Sequence, residues 1–341
     1  MDWNSLGAEF VVVGMYTAGS DGNLESSVLL FNVADGGRIM GKHYTGYKRE
    51  DYRSLSHRIA DDIYKAIMQI DGIAGTKVVY ISKRGNYKEV FLIDADGENE
   101  RQLTNDRNLN VLPAWGANST EIYYTSYKDF NPDLCGVYIT GTGSWFISRR
   151  AGINMSANYN EARKLIALTL SMDGNSEIYT LDRQGRNPQR LTNNRAIDCS
   201  PCWSPDGSLI AFTSDRSGSS QIWLMSGGGG NERRLTKSVA YADSASFSPR
   251  GDKIAFAGQS SRGGRFDIYV INVDGSGMQK LTRGEGDNEN PSWAPNGEHL
   301  AFASSRTGQY QIYIMDADGS NVRQLTKQGE NYSPDWSPFF N

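Results

Sequence analysis

The sequence predicts a mainly β protein: a six-bladed β-propeller of four-stranded blades over residues 76–341, closed by its C-terminal strand and preceded by a small α+β domain over residues 1–75. Three observations predict it. A Leu-Thr pair recurs about every 44 residues, an aromatic follows each pair by about twelve, and 37 glycines against only 10 prolines separate short apolar runs along the 341 residues. Units of 40–45 residues that each supply four strand-like runs have the spacing of propeller blades.

The first elements lie outside the repeat. Ala8–Gly14 and Ser27–Val33 read as strands, and a third runs from about Gly37 to Tyr44. From about Arg49 to Ile70 the apolar positions Tyr52, Leu55, Ile59, Ile63 and Ile67 step by three or four, which is one face of a helix. Asp71-Gly72 and Gly75 end it. Three strands and one helix make a thin core, so this domain is expected to be truncated.

The repeat begins at Lys77-Val78-Val79-Tyr80-Ile81-Ser82. Leu103-Thr104, Leu191-Thr192, Leu235-Thr236, Leu281-Thr282 and Leu325-Thr326 mark its period, with Ile147-Ser148 in the remaining place. The following aromatics are Trp115, Tyr159, Trp203, Phe247, Trp293 and Trp336. Ser204-Pro205-Asp206-Gly207, with its relatives Ser248-Pro249-Arg250-Gly251 and Ala294-Pro295-Asn296-Gly297, is a tight turn. Pro presets φ at the second position and Gly accepts the closing one. Next come two runs typified by Leu209-Ile210-Ala211-Phe212 and Gln221-Ile222-Trp223-Leu224-Met225, too short and too rich in aromatic and β-branched residues for helices. Asp274-Gly275 and Asp318-Gly319 then turn the chain toward the next Leu-Thr pair. The 266 residues from Thr76 hold six such units, but the first unit lacks an aromatic strand and the last aromatic strand, Asn331–Trp336, has no blade after it. The count balances if that strand joins the first blade, which leaves no open sheet edge.

Composition excludes several functions. Thirty-five Lys and Arg against 39 Asp and Glu give a net charge of -4, without the concentrated basic face of a nucleic-acid binder. No apolar run of about 18 residues is present to span a membrane. His43, His57 and His299 share no metal-ligand spacing, and neither a Gly-x-Ser-x-Gly elbow nor a phosphate-binding loop occurs. Gly227–Gly230 is read as a hairpin loop. Cys199-Ser200-Pro201-Cys202 falls in a strand, where residues three apart point to opposite faces, so it is read as structural unless a local turn intervenes. No catalytic residue, cofactor or metal is assigned.

What remains is a surface. In a propeller whose aromatic strands are innermost, the residues that begin those strands ring one mouth of the central channel. Here they include Ile153, Asn154, Ser156, Asp198, Cys199, Tyr241, Asp243, Glu289, Asn290, Asn331 and Tyr332. Such a mixture of carboxylate, amide and apolar groups suits docking of a peptide or protein loop. Asp198, Asp243 and Glu289 could alternatively hold a divalent cation.

The repeated pattern Ser-Pro-x-Trp-Ser-Pro-Asp-Gly, Ile-Ala-Phe, Ile-Tyr, Asp-Gly and Leu-Thr, together with Ala8–Gly14, the helix around Arg53–Asp61 and the ending Pro334-Asp335-Trp336-Ser337-Pro338, resembles the TolB family of periplasmic propellers over essentially the whole chain. The resemblance implies a non-enzymatic, monomeric scaffold of the Tol-Pal envelope system. Such a scaffold binds the lipoprotein Pal at the propeller mouth and TolA through an N-terminal peptide. It supports outer-membrane integrity and division, and colicins exploit its surface. It places Pal contacts at Ile153, Ser156 and Cys199; the other rim positions extend these by blade symmetry. The export signal and the TolA-binding peptide are not found here, and a truncated chain is expected. Two other readings are the propeller of a prolyl-oligopeptidase-like hydrolase and a metal-dependent lactonase-like propeller.

Overall fold

The computed structural model describes residues 3–19 and 22–340. The chain divides into two compact units, one up to Gly75 and one from Thr76.

The first unit is an antiparallel sheet in the order β1 (Phe10–Ala18), β2 (Asn23–Asn32), β3 (Arg38–Lys48), followed by helix α1 (Tyr52–Met68). β3 runs past the expected end at Tyr44, because a register shift opposite Leu24 and Ser26 absorbs Thr45 and Gly46, with Gly46 at φ 82°. α1 stops where Gln69 turns left-handed at φ 60° and donates its N–H to the Lys65 carbonyl at 2.9 Å. Leu55 is buried against Val28, Leu30, Met40 and Tyr44, with Ile59, Ile63 and Ile67 packed alongside. Tyr52, expected on the same face, is 59% exposed at the first helical position. Asp62 anchors the layer beneath: it accepts from Tyr44 Oη at 2.9 Å and pairs with Lys42 Nζ at 2.7 Å.

Among the described residues the second unit holds six four-stranded antiparallel sheets, and it is a propeller. Sheet 1 consists of Lys77–Arg84, Tyr87–Asp94 and Arg101–Gln102 with Glu330–Trp336 added at its inner edge. The inner strands of sheets 2 to 6 are Asn110–Trp115, Asn154–Asn160, Asp198–Trp203, Tyr241–Phe247 and Asn288–Trp293. Each inner strand touches the next, and Glu330–Trp336 touches those of both sheet 6 and sheet 2. The two ends of this unit meet in one ladder: Trp336 lies opposite Val78, Ser337 N donates to the Lys77 carbonyl at 2.8 Å, and Trp336 Nε1 donates to Thr76 Oγ1 at 2.8 Å.

The second strands are buried on both faces, which is why Ile210-Ala211-Phe212 and its equivalents do not alternate with polar residues. Size alternates instead. Ile210 and Phe212 pack toward sheet 3, while Ala211 leaves room for the sheet 5 side, where Phe247 sits. Ile254, Ala255 and Phe256 repeat the arrangement one sheet on.

The Leu-Thr pair has a mechanical role. The outermost strand is only two residues long in five sheets and five residues, Ser144–Ser148, in sheet 2. In those five the Thr side chain then replaces a backbone rung. Thr236 Oγ1 accepts from Ile222 N at 3.0 Å and donates to Gln221 Oε1 at 2.7 Å. Thr104, Thr192, Thr282 and Thr326 do the same with Glu89, Glu177, Asp267 and Gln311. At the inner turn, Ser204 Oγ accepts from Leu209 N and Asp206 accepts from Ser208 N. Gly207 closes this turn at φ 69°, where a Cβ would meet Arg163 Cγ at 2.5 Å.

Candidate functional site at the channel mouth

Every inner strand carries a left-handed residue three positions before its aromatic: Leu112, Ser156, Ser200, Ser244, Asn290 and Ser333 have φ between 48° and 57°. Each coincides with a shift in pairing to the second strand. These are six equivalent bulges; Asn290 is a residue type enriched in that conformation, while Leu112 and the four serines are held there by the bulge. The bulges and the two residues after each surround a central cavity of about 130 Å³. A wider cavity of about 700 Å³ opens at the other end, ringed by Trp115, Tyr159, Trp203, Phe247, Trp293 and Trp336.

The residue directly before the aromatic of one inner strand ties it to the next. Asn158 Oδ1 accepts from Trp203 N at 2.8 Å, Ser292 Oγ from Trp336 N at 2.9 Å, and Asp335 Oδ2 from Trp115 N at 2.8 Å. Asp335 also accepts from Ser292 Oγ, and burial pushes its carboxyl up to about 6.

The residue two positions before the left-handed one, at or next to the start of the inner strand, is the entry clamp. Its backbone N–H donates to the carbonyl that precedes the third strand of the previous sheet: Asn154 to Pro132, Asp198 to Ser176, Ala242 to Ser220, Asn288 to Phe266 and Asn331 to Tyr310. Three of the residues expected at the rim lie in this position. Asn154, Asp198 and Asn331 are fully buried. The Asn154 amide holds Arg150 N and the Arg150 and Gly152 carbonyls, Asp198 is held by Arg216 Nη2 at 2.6 Å and Asn194 Nδ2 at 2.7 Å, and Asn331 donates to Gln311 and the Gln328 carbonyl. A polar group at a strand entry between two sheets must satisfy the incoming loop, so these side chains organise the mouth from within.

The other eight are half-buried around the opening: Ile153, Ser156, Cys199, Tyr241, Asp243, Glu289, Asn290 and Tyr332. Ser156 and Asn290 also line the central cavity. Glu289 Oε1 accepts from Tyr310 Oη at 2.6 Å, and Tyr310 lies 5.2 Å from the Tyr332 ring, over which Lys88 Nζ sits at 4.2 Å. The Tyr241 ring meets Phe266 edge-on at 5.5 Å. Burial raises Glu289 above the usual carboxylate range and Asp243 to about 6.

Tyr310 and Phe266 were missed by the sequence reading. Their signal was available, since they are 44 residues apart and each directly precedes a third strand. Lys88 had no such signal. Cys199 and Cys202 flank the sheet 4 bulge, the local turn that a plain strand would lack. Both thiols are free, and burial pushes them up to about 11 and about 12, so neither is a ready nucleophile. Among the described residues no three His, Cys, Asp or Glu side chains converge as a metal site; Asp198 in particular is engaged by Arg216.

A family model described as the TolB beta propeller domain matches residues 64–262 and 247–339. The Tol-Pal system protein TolB of Desulfosudis oleivorans is 36% identical over 191 residues, 56% of this chain and 43% of that protein. A TolB homolog of Chlorobium chlorochromatii is 38% identical over 203 residues, 60% of this chain and 45% of that one. The matched chain thus spans less than half the length of these relatives. The crystal structure of TolB from Acinetobacter baumannii superposes with a TM-score of 0.90 at 28% identity, covering 99% of this chain and 85% of that one. A putative TolB from Agrobacterium tumefaciens, at 22% identity and a TM-score of 0.60 over 77% of this chain, shares the fold.

Proposed function

The chain belongs to the TolB β-propeller family, and from that premise we propose that it is a non-enzymatic, protein-binding scaffold of the Tol-Pal system, acting in the periplasm. Each four-stranded sheet is one blade of six, and Glu330–Trp336 closes the ring. The scaffold binds the lipoprotein Pal at the channel mouth and through it supports outer-membrane integrity and cell division; TolA is engaged by an N-terminal peptide of the longer family members.

One observation carries this reading: the eight half-buried residues at the mouth combine apolar surface at Ile153, Cys199, Tyr241 and Tyr332 with fixed polar groups at Ser156, Asp243, Glu289 and Asn290. Half-buried aromatic anchors beside satisfied polar groups are the composition of a protein-docking surface. The docked element supplies a loop narrow enough to seat over the small central cavity. Calorimetric titration with the soluble domain of Pal from the same organism tests it. Saturable binding that is lost on substitution of Tyr332 supports the reading, and no heat up to high micromolar concentration overturns it.

A further inference from the structure

The five short outer strands supply a comparison inside one molecule. Their second residue is Gln102, Arg190, Arg234, Lys280 or Gln324, and the third-strand residue of the same sheet that accepts the Thr hydroxyl is Glu89, Glu177, Gln221, Asp267 or Gln311. Where the outer strand is cationic, a carboxylate answers it. Arg190 Nη2 meets Glu177 Oε1 at 2.9 Å and Arg190 Nη1 meets Asp173 at 3.5 Å, while Lys280 Nζ meets Asp267 Oδ2 at 2.5 Å. Where it is Gln324, the third strand opens with neutral Gln311. Sheet 4 breaks the rule: Arg234 stands in a sheet whose third strand opens with Gln221, and Ser217 occupies the place of Asp173.

Arg234 Nε keeps the common bond to the Thr236 carbonyl at 2.6 Å, as Arg190 Nε does to Thr192. Its positive charge, however, has no carboxylate partner among the described residues, and neither does that of Lys237; Arg233 acts on the Asp274 carboxylate and donates from Nη2 to the Val273 carbonyl at 2.5 Å. These three side chains line a cavity of about 280 Å³ between sheets 4 and 5, floored by Leu235, Ile271 and Met278. A single carboxylate, Asp274, shares the wall, and its Oδ1 already accepts from Ser276 N and Oγ. The nearby Glu232 is committed to Arg216.

We infer that this cavity is an oxyanion site for a small phosphomonoester carrying an apolar group. The guanidinium of Arg234 is a planar fork suited to two phosphate oxygens, Lys237 and Arg233 add charge at the rim, and the apolar floor takes the substituent. The volume fits a small ligand and excludes a polymer. The site is remote in kind from the acidic, aromatic channel mouth and does not depend on what docks there.

The test is titration of the full chain with phenyl phosphate and with inorganic phosphate, followed by calorimetry at low and at 0.5 M salt. Saturable binding is expected, tighter for phenyl phosphate and weakened by salt. R234Q recreates the Gln324–Gln311 pairing of sheet 6, and Q221E recreates the Arg190–Glu177 pairing of sheet 3, so both substitutions copy arrangements this fold already holds. Each is expected to weaken binding at least tenfold, with R234Q leaving the thermal midpoint unchanged. Absence of saturable binding, or equal binding by wild type and R234Q, overturns the assignment; equal affinity for the two phosphates removes the apolar floor from it.

Discussion

Trp115 and Asp335 are 220 residues apart in sequence and joined twice: Trp115 N donates to Asp335 Oδ2 at 2.8 Å, and Trp115 Nε1 to the Asp335 carbonyl at 3.0 Å. Through this pair the last strand of the chain is fastened to sheet 2 as well as to sheet 1. Deleting the residues from Glu330 onward removes that fastening, the ladder to Lys77–Arg84 and the Trp336 side chain together. A large fall in melting temperature is expected, and a truncated chain that melts with the full-length protein would contradict ring closure.

The pH dependence of stability has an uncommon sign. The Asp335 carboxyl is raised to about 6 by burial, so between about 4 and about 6 the folded state holds a proton that the unfolded state has released. Stability from this group is therefore greatest below pH 4 and declines as pH rises through 6. Asp335→Asn keeps the acceptor for Trp115 N and removes the titration. Urea midpoints measured from pH 4 to 7 should decline less steeply in the variant than in wild type, the residual slope of this sign coming in part from Asp243.

The threonine clip is testable at Thr236, whose hydroxyl joins Ile222 N to Gln221. Thr236→Val preserves shape and strands a buried N–H. The cost should be about 1–3 kcal/mol by denaturant unfolding, whereas a change within about 0.5 kcal/mol would show that the repeat's threonine serves packing alone.

Rim and scaffold positions should separate cleanly. Tyr332→Ala, at a half-buried site, is expected to weaken Pal binding severalfold or more with little change in melting temperature. Asn154→Ala removes the acceptor of Arg150 N and Ser148 Oγ and should lower the melting temperature. The reverse pattern would return Asn154 to the docking surface.

How far the sequence reached follows from what repeats. The period of about 44 residues located the inner aromatics, the tight turns and the strand that returns to Lys77, because each unit must bury the same faces against its neighbours. It also directed attention to the start of each inner strand. It could not say which side chains there face the opening. Asn154 and Tyr332 look equally eligible in the sequence, and only the bulge geometry and the backbone tie between sheets bury the first and leave the second half-buried. The helix face was legible from Leu55, Ile59 and Ile63, yet Tyr52 fits the same spacing and lies exposed at the first helical position.

The sequence by itself determined a ring of like units, because local patterning and turn chemistry act over a few residues and were written six times. Tertiary structure decided what depends on a neighbouring sheet: the joining of Trp115 to Asp335, and the burial of Asn154, Asp198 and Asn331 at their backbone ties to Pro132, Ser176 and Tyr310. Those outcomes rest on hydrogen bonds between groups from different repeats, whose separation in space no single repeat specifies.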